Sequence, residues 1–296
     1  THLIFIDKRT SKNNNSCMEN PTINDKTISV TNLKDVNETL FYPLVAKYLE
    51  TNKKDGIIYD LKSVEIIKSL NYDITKAKVS MTAGLGICLR TVIIDSIVKK
   101  FIEIHPDGTI VNLGCGLDTR FSRLDNQKIH WLDLDLPDTI SLRRRFFTET
   151  ERNCFIAKSV LDFSWVEDIP PGNVILFIAE GLSYYFSENE NKALASTIKQ
   201  NYPGAEYVFD TLHPFFLKLY KRKKSDEHLS NKLAALLKWG VKSGRELETW
   251  FDGVHFVKEW SQVNAGKDRF PIFLRLLFFL FPILTKSKNI ILLRLA

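Results

Sequence analysis

The stretch Thr109–Arg120 reads T-I-V-N-L-G-C-G-L-D-T-R and joins an apolar run to a turn that contains two glycines. Ile110–Leu113 predicts a buried strand, and Gly114 and Gly116 predict the turn that ends it. About twenty residues further on, Trp131–Pro137 (W-L-D-L-D-L-P) ends a second apolar run in two carboxylates. This order is typical of a nucleotide-binding α/β sheet, because glycines let the backbone approach a ligand and an acid after the next strand can hold ribose hydroxyls.

Strands and helices alternate after this stretch. Val254–Trp260 and Asn289–Leu295 predict two late strands, for which an antiparallel edge is left open. The alternation predicts an α/β fold with a doubly wound, mainly parallel seven-stranded sheet and crossover helices on both faces. Ser187 and Glu190 form a capping box at the start of one crossover helix. The other predicted strands span 109–114, 129–135, 153–160, 173–180 and 205–211, with helices near 137–149 and 187–200.

Changes in composition divide the chain into segments. Residues 1–30 are polar with few apolar anchors, which predicts a flexible N-terminal segment. Residues 31–296 are expected to form a single domain. Its predicted parts are N-terminal helices (31–105), a cofactor-binding core (106–213), a helical cap inserted after the fifth strand (214–250), and final strands with an apolar helix (251–296).

The chain of 296 residues is mildly basic, with a net charge of +6 and a pI near 9.0. This charge favours anionic partners, but it does not choose between a small acid, a membrane surface and nucleic acid. The four cysteines are scattered without C-x-x-C spacing, which indicates reduced thiols in a cytoplasmic protein. No His/Cys cluster has the spacing of a metal site, so no metal is expected. The sequence indicates no particular oligomeric state.

The most apolar stretch is Phe270–Leu284, which Arg275 and Pro282 interrupt. It is shorter than the ~20 residues of a membrane-spanning helix, so no transmembrane segment is expected. No secretory signal is expected either, because Leu3–Ile6 is too short for its apolar core. The stretch predicts a core helix or a lid. Flanking basic residues leave contact with a membrane surface through 270–285 as an alternative.

The predicted ligand follows from the side chains at the strand ends, because ligands of an open α/β sheet bind beyond the carboxyl ends of its strands. Phosphate-binding motifs are missing there, and Thr119 occupies the place of the third glycine of the dinucleotide motif. Acids and aromatics, which suit the ribose and the ring of adenosine, are present instead. An adenosine cofactor without a pyrophosphate is therefore expected, and S-adenosylmethionine is the obvious one. The candidate positions are Gly114–Arg120, Asp133, Asp135, Asp162, Phe163, Glu180–Tyr185 and His213.

The longest predicted helix, Thr82–Glu103, carries Arg90 and Asp95 among apolar side chains. A charge in such a segment is costly unless it is paired or faces a ligand. One interpretation is a structural Arg90–Asp95 pair or an exposed stripe. The other is that Arg90 reaches into a site and binds a carboxylate through two hydrogen bonds.

Five segments occur in the order V-N-L-G-C-G-L-D-T-R-F (111–121), D-L-D-L-P (133–137), L-R-R-R (142–145), V-L-D-F (160–163) and A-E-G-L-S-Y-Y-F (179–186). Together they resemble the leucine carboxyl methyltransferase and polyketide O-methyltransferase superfamily. T-L-F-Y-P-L-V-A-K (39–47) and Tyr59–Asp60 are similar to its polyketide, tetracenomycin-type branch. The resemblance implies a Rossmann-like class I methyltransferase fold, with S-adenosylmethionine as donor and S-adenosylhomocysteine as product.

The resemblance also implies roles for residues that would hold the methionyl part of the cofactor. Arg90 and Lys47 would meet its carboxylate, and Gly114 and Gly116 would form the turn beside it. Glu180 would approach its amine. Because Glu180 follows an apolar strand, an unpaired carboxylate there would be expensive.

Three further residues are implied for the adenosine part. Asp135 would hold the ribose, and Asp162 with Phe163 would take the adenine. The structural alternatives are that Asp135 merely caps the helix that begins at Pro137, and that Asp162 is an ordinary turn residue.

The expected acceptor is a small, largely apolar, polyketide-like molecule with a carboxylate or a phenolic hydroxyl. A carboxylate is ionised at neutral pH and needs no base, whereas a phenol would profit from one. Tyr184 and His213 are the only candidate bases, and both could instead be structural. The lack of a dedicated base leans toward carboxyl methylation, and methylation of a protein C-terminus is a further alternative.

Three rival classes share parts of this pattern. A nicotinamide-dependent oxidoreductase is disfavoured by Thr119 and by the absence of a Y-x-x-x-K motif near the fourth strand. A nucleic-acid methyltransferase is not expected, because the fourth strand ends in A-E-G-L and no RNA-binding module is visible. A member that binds the cofactor without turnover stays open, since fold alone does not establish activity.

Overall fold

A computed structural model of the chain describes residues 40–70, 79–172, 174–222 and 236–296. The predicted flexible segment 1–30 lies outside these ranges, as do residues 223–235 of the predicted cap.

The described residues form a seven-stranded sheet in the order β3-β2-β1-β4-β5-β7-β6. Strands β1 to β5 are parallel, whereas β7 lies antiparallel between β5 and β6. The predicted doubly wound, mainly parallel sheet is therefore confirmed, and the antiparallel edge that the sequence left open consists of the two last strands. The strands are β1 (Thr109–Leu113), β2 (His130–Asp135), β3 (Asn153–Ala157), β4 (Ile175–Ala179), β5 (Ala205–Leu212), β6 (Val254–Ser261) and β7 (Lys288–Leu295).

Helices cover both faces of the sheet. The predicted capping box at the start of Glu188–Asn201 is confirmed: the Ser187 side chain accepts a hydrogen bond from the backbone N–H of Glu190, and the Glu190 side chain accepts one from the backbone N–H of Ser187. The helices are α1 (Phe41–Thr51), α2 (Leu61–Ser69), α3 (Met81–Ile104), α4 (Arg120–Leu124), α5 (Pro137–Arg143), α6 (Glu188–Asn201), α7 (Pro214–Arg222), α8 (Gln262–Ala265) and α9 (Ile272–Leu280).

The two faces of the central strands enter different parts of the core. Leu113 points into a cluster that contains Ile198 of α6, whereas Ile110 belongs to a cluster that contains Ile94 of α3. All five residues of β1 are buried, as expected for a parallel strand covered on both sides. The strand therefore anchors the turn that follows it.

Helix α3 is by length and composition able to cross a membrane. However, 61% of its most apolar window is buried inside the protein. Buried side chains along its length belong to core clusters, so it has the packing of a core helix.

Two predicted elements end earlier than the sequence pattern indicated. Strand β3 ends at Ala157 because Ser159 starts a turn, in which its carbonyl accepts a hydrogen bond of 2.9 Å from Asp162 N. Helix α5 ends at Arg143, and the next backbone N–H groups of Arg144 and Arg145 cap its carbonyls.

The apolar C-terminal stretch forms α9, but the prediction of a core helix is wrong. Leu274 and Phe278 pack against Leu85 and Leu89 of α3 and against Phe270, and no residue of α9 is buried. The rest of the helix faces outward.

Candidate active site

A cavity of about 450 Å³ lies at the carboxyl ends of the central parallel strands, beside α1 and α3. Because β4 and β5 separate β1 from β7, the start of β7 lies three strand spacings, about 14 Å, from the end of β1. The glycine-turn wall consists of Lys47, Arg90, Asn112, Gly114–Asp118 and Glu180. The aromatic wall consists of Tyr184, Tyr185, Leu212, Tyr220, Leu237 and Lys288.

The turn after β1 has a left-handed backbone conformation that residues other than glycine rarely adopt. Gly114 has φ +64° and Gly116 has φ +51°. A Cβ atom at Gly114 would lie 3.0 Å from the Leu182 side chain, so a larger residue would both strain the turn and crowd this contact. The glycines thus leave bare backbone on the cavity wall, which suits close contact with a ligand.

Asp135 holds the glycine turn from behind. Its Oδ2 accepts a hydrogen bond of 2.7 Å from Gly116 N, and its Oδ1 accepts one of 2.7 Å from Leu136 N. Burial raises the pKa of Asp135, although these two bonds oppose the shift. Asp135 supports the turn and is not on the cavity wall, and the Thr139 side chain also forms a hydrogen bond with its carboxylate. Its assignment to the ribose stays a prediction.

Arg90 extends from α3 to the ends of β4 and β5. Its Nε donates to Glu180 Oε1 at 2.9 Å, and its Nη1 donates to Asp210 Oδ2 at 2.9 Å and to the Tyr184 hydroxyl at 3.3 Å. The prediction of a structural Arg90–Asp95 pair is therefore wrong, since Asp95 is paired with Arg120. Within the described part of the chain, Nη2 of Arg90 has no hydrogen-bond partner, so one donor edge remains for a ligand.

Glu180 is held as a carboxylate by three groups. It accepts hydrogen bonds from Arg90, from Arg120 Nη2 and, at 3.1 Å, from the Thr91 hydroxyl. Burial would raise the pKa of Glu180, but Arg120 and Arg90 lower it below its ordinary value. These hydrogen bonds and ion pairs offset the desolvation free energy that an isolated carboxylate at this strand end would cost.

Lys47 is almost fully buried, with 3% of its side chain exposed. Its ammonium donates to Thr119 Oγ1 at 2.7 Å and lies 3.4 Å from Asp60 Oδ2 and 3.7 Å from Asp118 Oδ1. The residue at the position of the missing third glycine, Thr119, thus links α1 to the turn. Lys47 reaches the cavity wall, and its contact with the methionyl carboxylate stays a prediction.

The two candidate bases have different positions. Tyr184 lies on the aromatic wall, and its hydroxyl contacts Arg90. Burial and the Asp210 carboxylate raise the pKa of Tyr184, so its hydroxyl stays protonated at neutral pH and is not available to accept a proton. His213 lies outside the cavity wall, and its Nδ1 accepts a hydrogen bond of 3.2 Å from Phe215 N. The structure gives no support to a role of His213 as base.

Asp162 and Phe163 also lie outside the cavity wall. Asp162 is exposed, and its side chain accepts a hydrogen bond of 3.2 Å from Ser164 N at the start of a 3₁₀ helix, Phe163–Asp168. Phe163 packs against the main core. Their assignment to adenine stays a prediction.

The sequence patterns did not single out Asp210 or Lys288, and they did not show what Arg120 pairs with. Asp210 lies inside the apolar strand β5, yet it accepts from Arg90 and, at 2.6 Å, from Gly181 N. Arg120 was visible in the D-T-R motif, but its buried pairing with Glu180 joins residues 60 apart in sequence. Lys288 begins an antiparallel strand. A search at the carboxyl ends of strands overlooks it, because the amino end of β7 lies at that same edge.

The sheet order, the glycine turn at the end of β1 and the cavity at this edge define the Rossmann-like class I methyltransferase fold. The chain matches the leucine carboxyl methyltransferase family model over residues 29–199. It therefore belongs to the leucine carboxyl methyltransferase family, and the resemblance inferred from its motifs is confirmed. The predicted class is confirmed as well: the chain is an S-adenosylmethionine-dependent methyltransferase.

Two relatives cover most of the chain. A tetracenomycin polyketide synthesis O-methyltransferase, TcmP of Streptomyces glaucescens, is 28% identical over 79% of this chain and 85% of its own length. An S-adenosyl-L-methionine-dependent methyltransferase, dpfgK of Gibberella zeae, is 24% identical over 76% of this chain and 81% of its own. Among solved structures, a candidate methyltransferase from Thermobifida fusca is similar in fold, with a TM-score of 0.53 and 11% identity over 86% of this chain and 94% of that chain.

Proposed function

We propose that this enzyme transfers a methyl group from S-adenosylmethionine to the carboxylate of a small, largely apolar acid. The observation that carries the proposal is Lys288, a cationic side chain on an otherwise aromatic and aliphatic wall of the cavity. The glycine-turn wall carries the paired charges of the predicted cofactor site and meets the aromatic wall at Arg90, which donates a hydrogen bond to the Tyr184 hydroxyl.

The residues of the glycine-turn wall fit the cofactor. Bare backbone at Gly114 and Gly116 would accommodate its methionyl part, the free edge of Arg90 would bind the methionyl carboxylate, and Glu180 would supply negative charge for the amine. When bound, S-adenosylmethionine supplies a methyl group that is already activated by a sulfonium. The protein therefore contributes alignment, by holding the acceptor oxygen in line with that methyl group.

Lys288 is suited to hold the acceptor. Its ammonium forms no hydrogen bond and no ion pair with any residue in the described ranges, although the side chain is partly buried. Burial and the Arg90 guanidinium lower the pKa of Lys288, whereas the Asp210 carboxylate opposes them. A carboxylate bound beside Lys288 would offset this cost by pairing with the ammonium.

The apolar side chains of the aromatic wall favour an apolar body for the acceptor. Tyr185, Tyr220 and Leu237 line the same cavity as Lys288, and Leu212 is its partner in the β5–β7 pair. Binding pockets for small molecules are mostly apolar with a few placed polar groups, and this wall has that composition.

A carboxylate also suits the absence of an effective base on the described cavity wall. An ionised acid attacks without losing a proton, and the methyl ester is released together with S-adenosylhomocysteine. A phenol would have to lose its proton, and Tyr184 is not available to take it, because its raised pKa keeps its own hydroxyl protonated. Carboxyl methylation therefore agrees with the wall better than phenol methylation does.

The proposal is tested by two measurements on the full chain. Calorimetry with S-adenosylhomocysteine measures the cofactor site alone. Incubation with a panel of aromatic and aliphatic carboxylic acids and with phenols of the same skeletons, followed by mass spectrometry, measures methyl transfer. We expect cofactor binding and methyl esters from acids. Cofactor binding with methyl ethers from phenols and no esters would contradict the carboxylate assignment.

A further inference from the structure

Helix α9 and the turn that follows it expose eight large apolar side chains. Ile272 is 81% exposed and Phe279 is 72% exposed. Isolated exposed apolar residues are normal on protein surfaces, but a contiguous set of this size marks a surface that is covered by something else. The eight residues are Ile272, Phe273, Leu276, Leu277, Phe279, Leu280, Phe281 and Ile283.

The charged residues of the chain from α9 to Ala296 are all basic. Between Phe270 and Ala296 the chain contains no Asp or Glu, whereas Arg275 lies on the helix itself and Lys286 follows it. Both basic side chains are exposed, and neither forms an ion pair with a residue that the structure describes. An apolar surface with unpaired positive charges is complementary to anionic lipid headgroups above acyl chains.

The anchoring of α9 fits a helix that lies on a membrane. Nine residues span only about 14 Å, less than half of the ~30 Å hydrocarbon core, so α9 cannot cross a bilayer. Leu274 and Phe278 hold its inner side, with the Phe278 ring 5.3 Å from that of Phe270. Before the helix, Arg269 is paired with Asp55 at 3.1 Å. These contacts fix α9 to the rest of the protein and leave its outer side exposed to solvent.

We propose that α9 binds the surface of an anionic lipid bilayer, with its outer apolar side chains among the acyl chains and with Arg275 and Lys286 at the headgroups. This association is separate from the proposed acceptor. Leu85 and Leu89, which carry α9, lie on the side of α3 opposite to Ala83, Ile87 and Arg90, which line the cavity.

Sedimentation of the full chain with vesicles tests the proposal. We expect binding to phosphatidylcholine vesicles that contain about one third phosphatidylserine, with weaker binding as salt rises and much weaker binding to pure phosphatidylcholine. The variant Phe273→Asn/Phe279→Asn should bind roughly tenfold or more weakly, because two buried aromatic side chains contribute more than that factor. Arg275→Gln should weaken binding to the anionic vesicles alone.

The matched control is Ile104→Asn/Val174→Asn, which removes exposed apolar side chains elsewhere and should bind like the wild type. S-adenosylhomocysteine affinity should be unchanged in both double variants, so a failed cofactor site would be recognised separately. Absence of vesicle binding by the wild type, or equal binding by both double variants, would overturn the proposal.

Two other occupants of the surface give different results. A lipid-free dimer that Phe273→Asn/Phe279→Asn dissociates in light scattering would show that a second copy covers α9. A polarity-sensitive fluorophore attached to Phe279→Cys tests whether another part of the same chain covers α9. The labelled chain also carries Cys17→Ser, and the label should not react with Cys88, Cys115 and Cys154 because they are buried. Apolar emission from the lipid-free monomer would indicate such cover. Either result overturns the lipid assignment, whereas a blue shift on adding anionic vesicles supports it.

Discussion

The two walls of the cavity differ in how their charges are satisfied. On the glycine-turn wall, Arg90, Glu180 and Lys47 are each paired inside the protein. On the aromatic wall, Lys288 has no ion-pair partner in the described part of the chain. Charges that are paired inside the protein are held in fixed positions. An unpaired cation in a partly buried site can instead form an ion pair with a bound anion.

Under the proposed function, this difference corresponds to separate roles of the two walls. The glycine-turn wall, whose charges are part of the folded core, would hold the methyl donor. The aromatic wall would hold the acceptor, and Lys288 would select its chemical group. Changes on the first wall should therefore affect folding and cofactor binding, and changes on the second should affect the acceptor alone.

The largest effect is expected for Arg90→Ala. It leaves Glu180 and Asp210 buried without their common partner, so the free energy of unfolding should fall by about 3–5 kcal/mol. The control Arg144→Ala breaks an exposed pair with Glu149 and should cost less than about 1 kcal/mol. Urea unfolding measures both. Similar losses in the two variants would show that the charges of the glycine-turn wall are not part of the core.

Gly114→Asp should weaken S-adenosylhomocysteine binding roughly a hundredfold or more in calorimetry. The new side chain would crowd Leu182 and add negative charge to a wall that already contains Asp118 and Glu180. Gly172→Asp is the matched control, because Gly172 also has a positive φ, +101°, but no atom lies within 4 Å of its Cβ position. Equal loss in both variants would assign the effect to backbone strain instead of the site.

Lys288→Met should raise KM for a carboxylic acid roughly tenfold or more, because one charge-assisted hydrogen bond is lost, and should leave cofactor affinity unchanged. Lys242→Met, which removes an exposed charge outside the cavity wall, is the control. In the wild type, kcat/KM should fall at alkaline pH as Lys288 loses its proton, below the ordinary pKa of lysine because its pKa is lowered by burial and Arg90. The pH profile of Lys288→Met should lack this decrease. A retained decrease would assign it to another group.

Tyr184→Phe should have the smallest effect, with kcat reduced by no more than about threefold. Among the described residues, its hydroxyl forms a hydrogen bond with Arg90 alone, and Arg90 keeps its bonds to Glu180 and Asp210 in the variant. Removal of a general base typically costs ~10²–10⁴-fold. A loss of that size in steady-state kinetics would make Tyr184 the base and would favour a phenolic acceptor.

The sequence predicted the glycine-turn wall better than the aromatic wall for a physical reason. Gly114, Gly116 and Glu180 follow apolar strands, so local patterns and the strand-end rule locate them. The partners of Arg90, in contrast, lie 90 and 120 residues away, and only the sheet order brings them together. Lys288 enters the site from an antiparallel strand, which the rule for parallel strands does not cover.

Helix α9 shows a second limit of sequence patterns. Its composition predicted a core helix or a lid, with contact to a membrane surface as an alternative, because an apolar composition indicates only that a segment avoids water. Whether protein or another partner covers it depends on neighbours far away in the chain. The structure provides α3 on one side of α9 and leaves the other side exposed.

The most direct test of the two-wall account compares 2-naphthoic acid with 2-naphthol as methyl acceptors for the wild type and for Lys288→Met. Both acceptors share one apolar skeleton, and only the acid is ionised at neutral pH. The account predicts that the wild type has a kcat/KM at least about tenfold higher for the acid, and that Lys288→Met loses this preference. A wild type that prefers the naphthol, or a preference for the acid that survives in Lys288→Met, would contradict it.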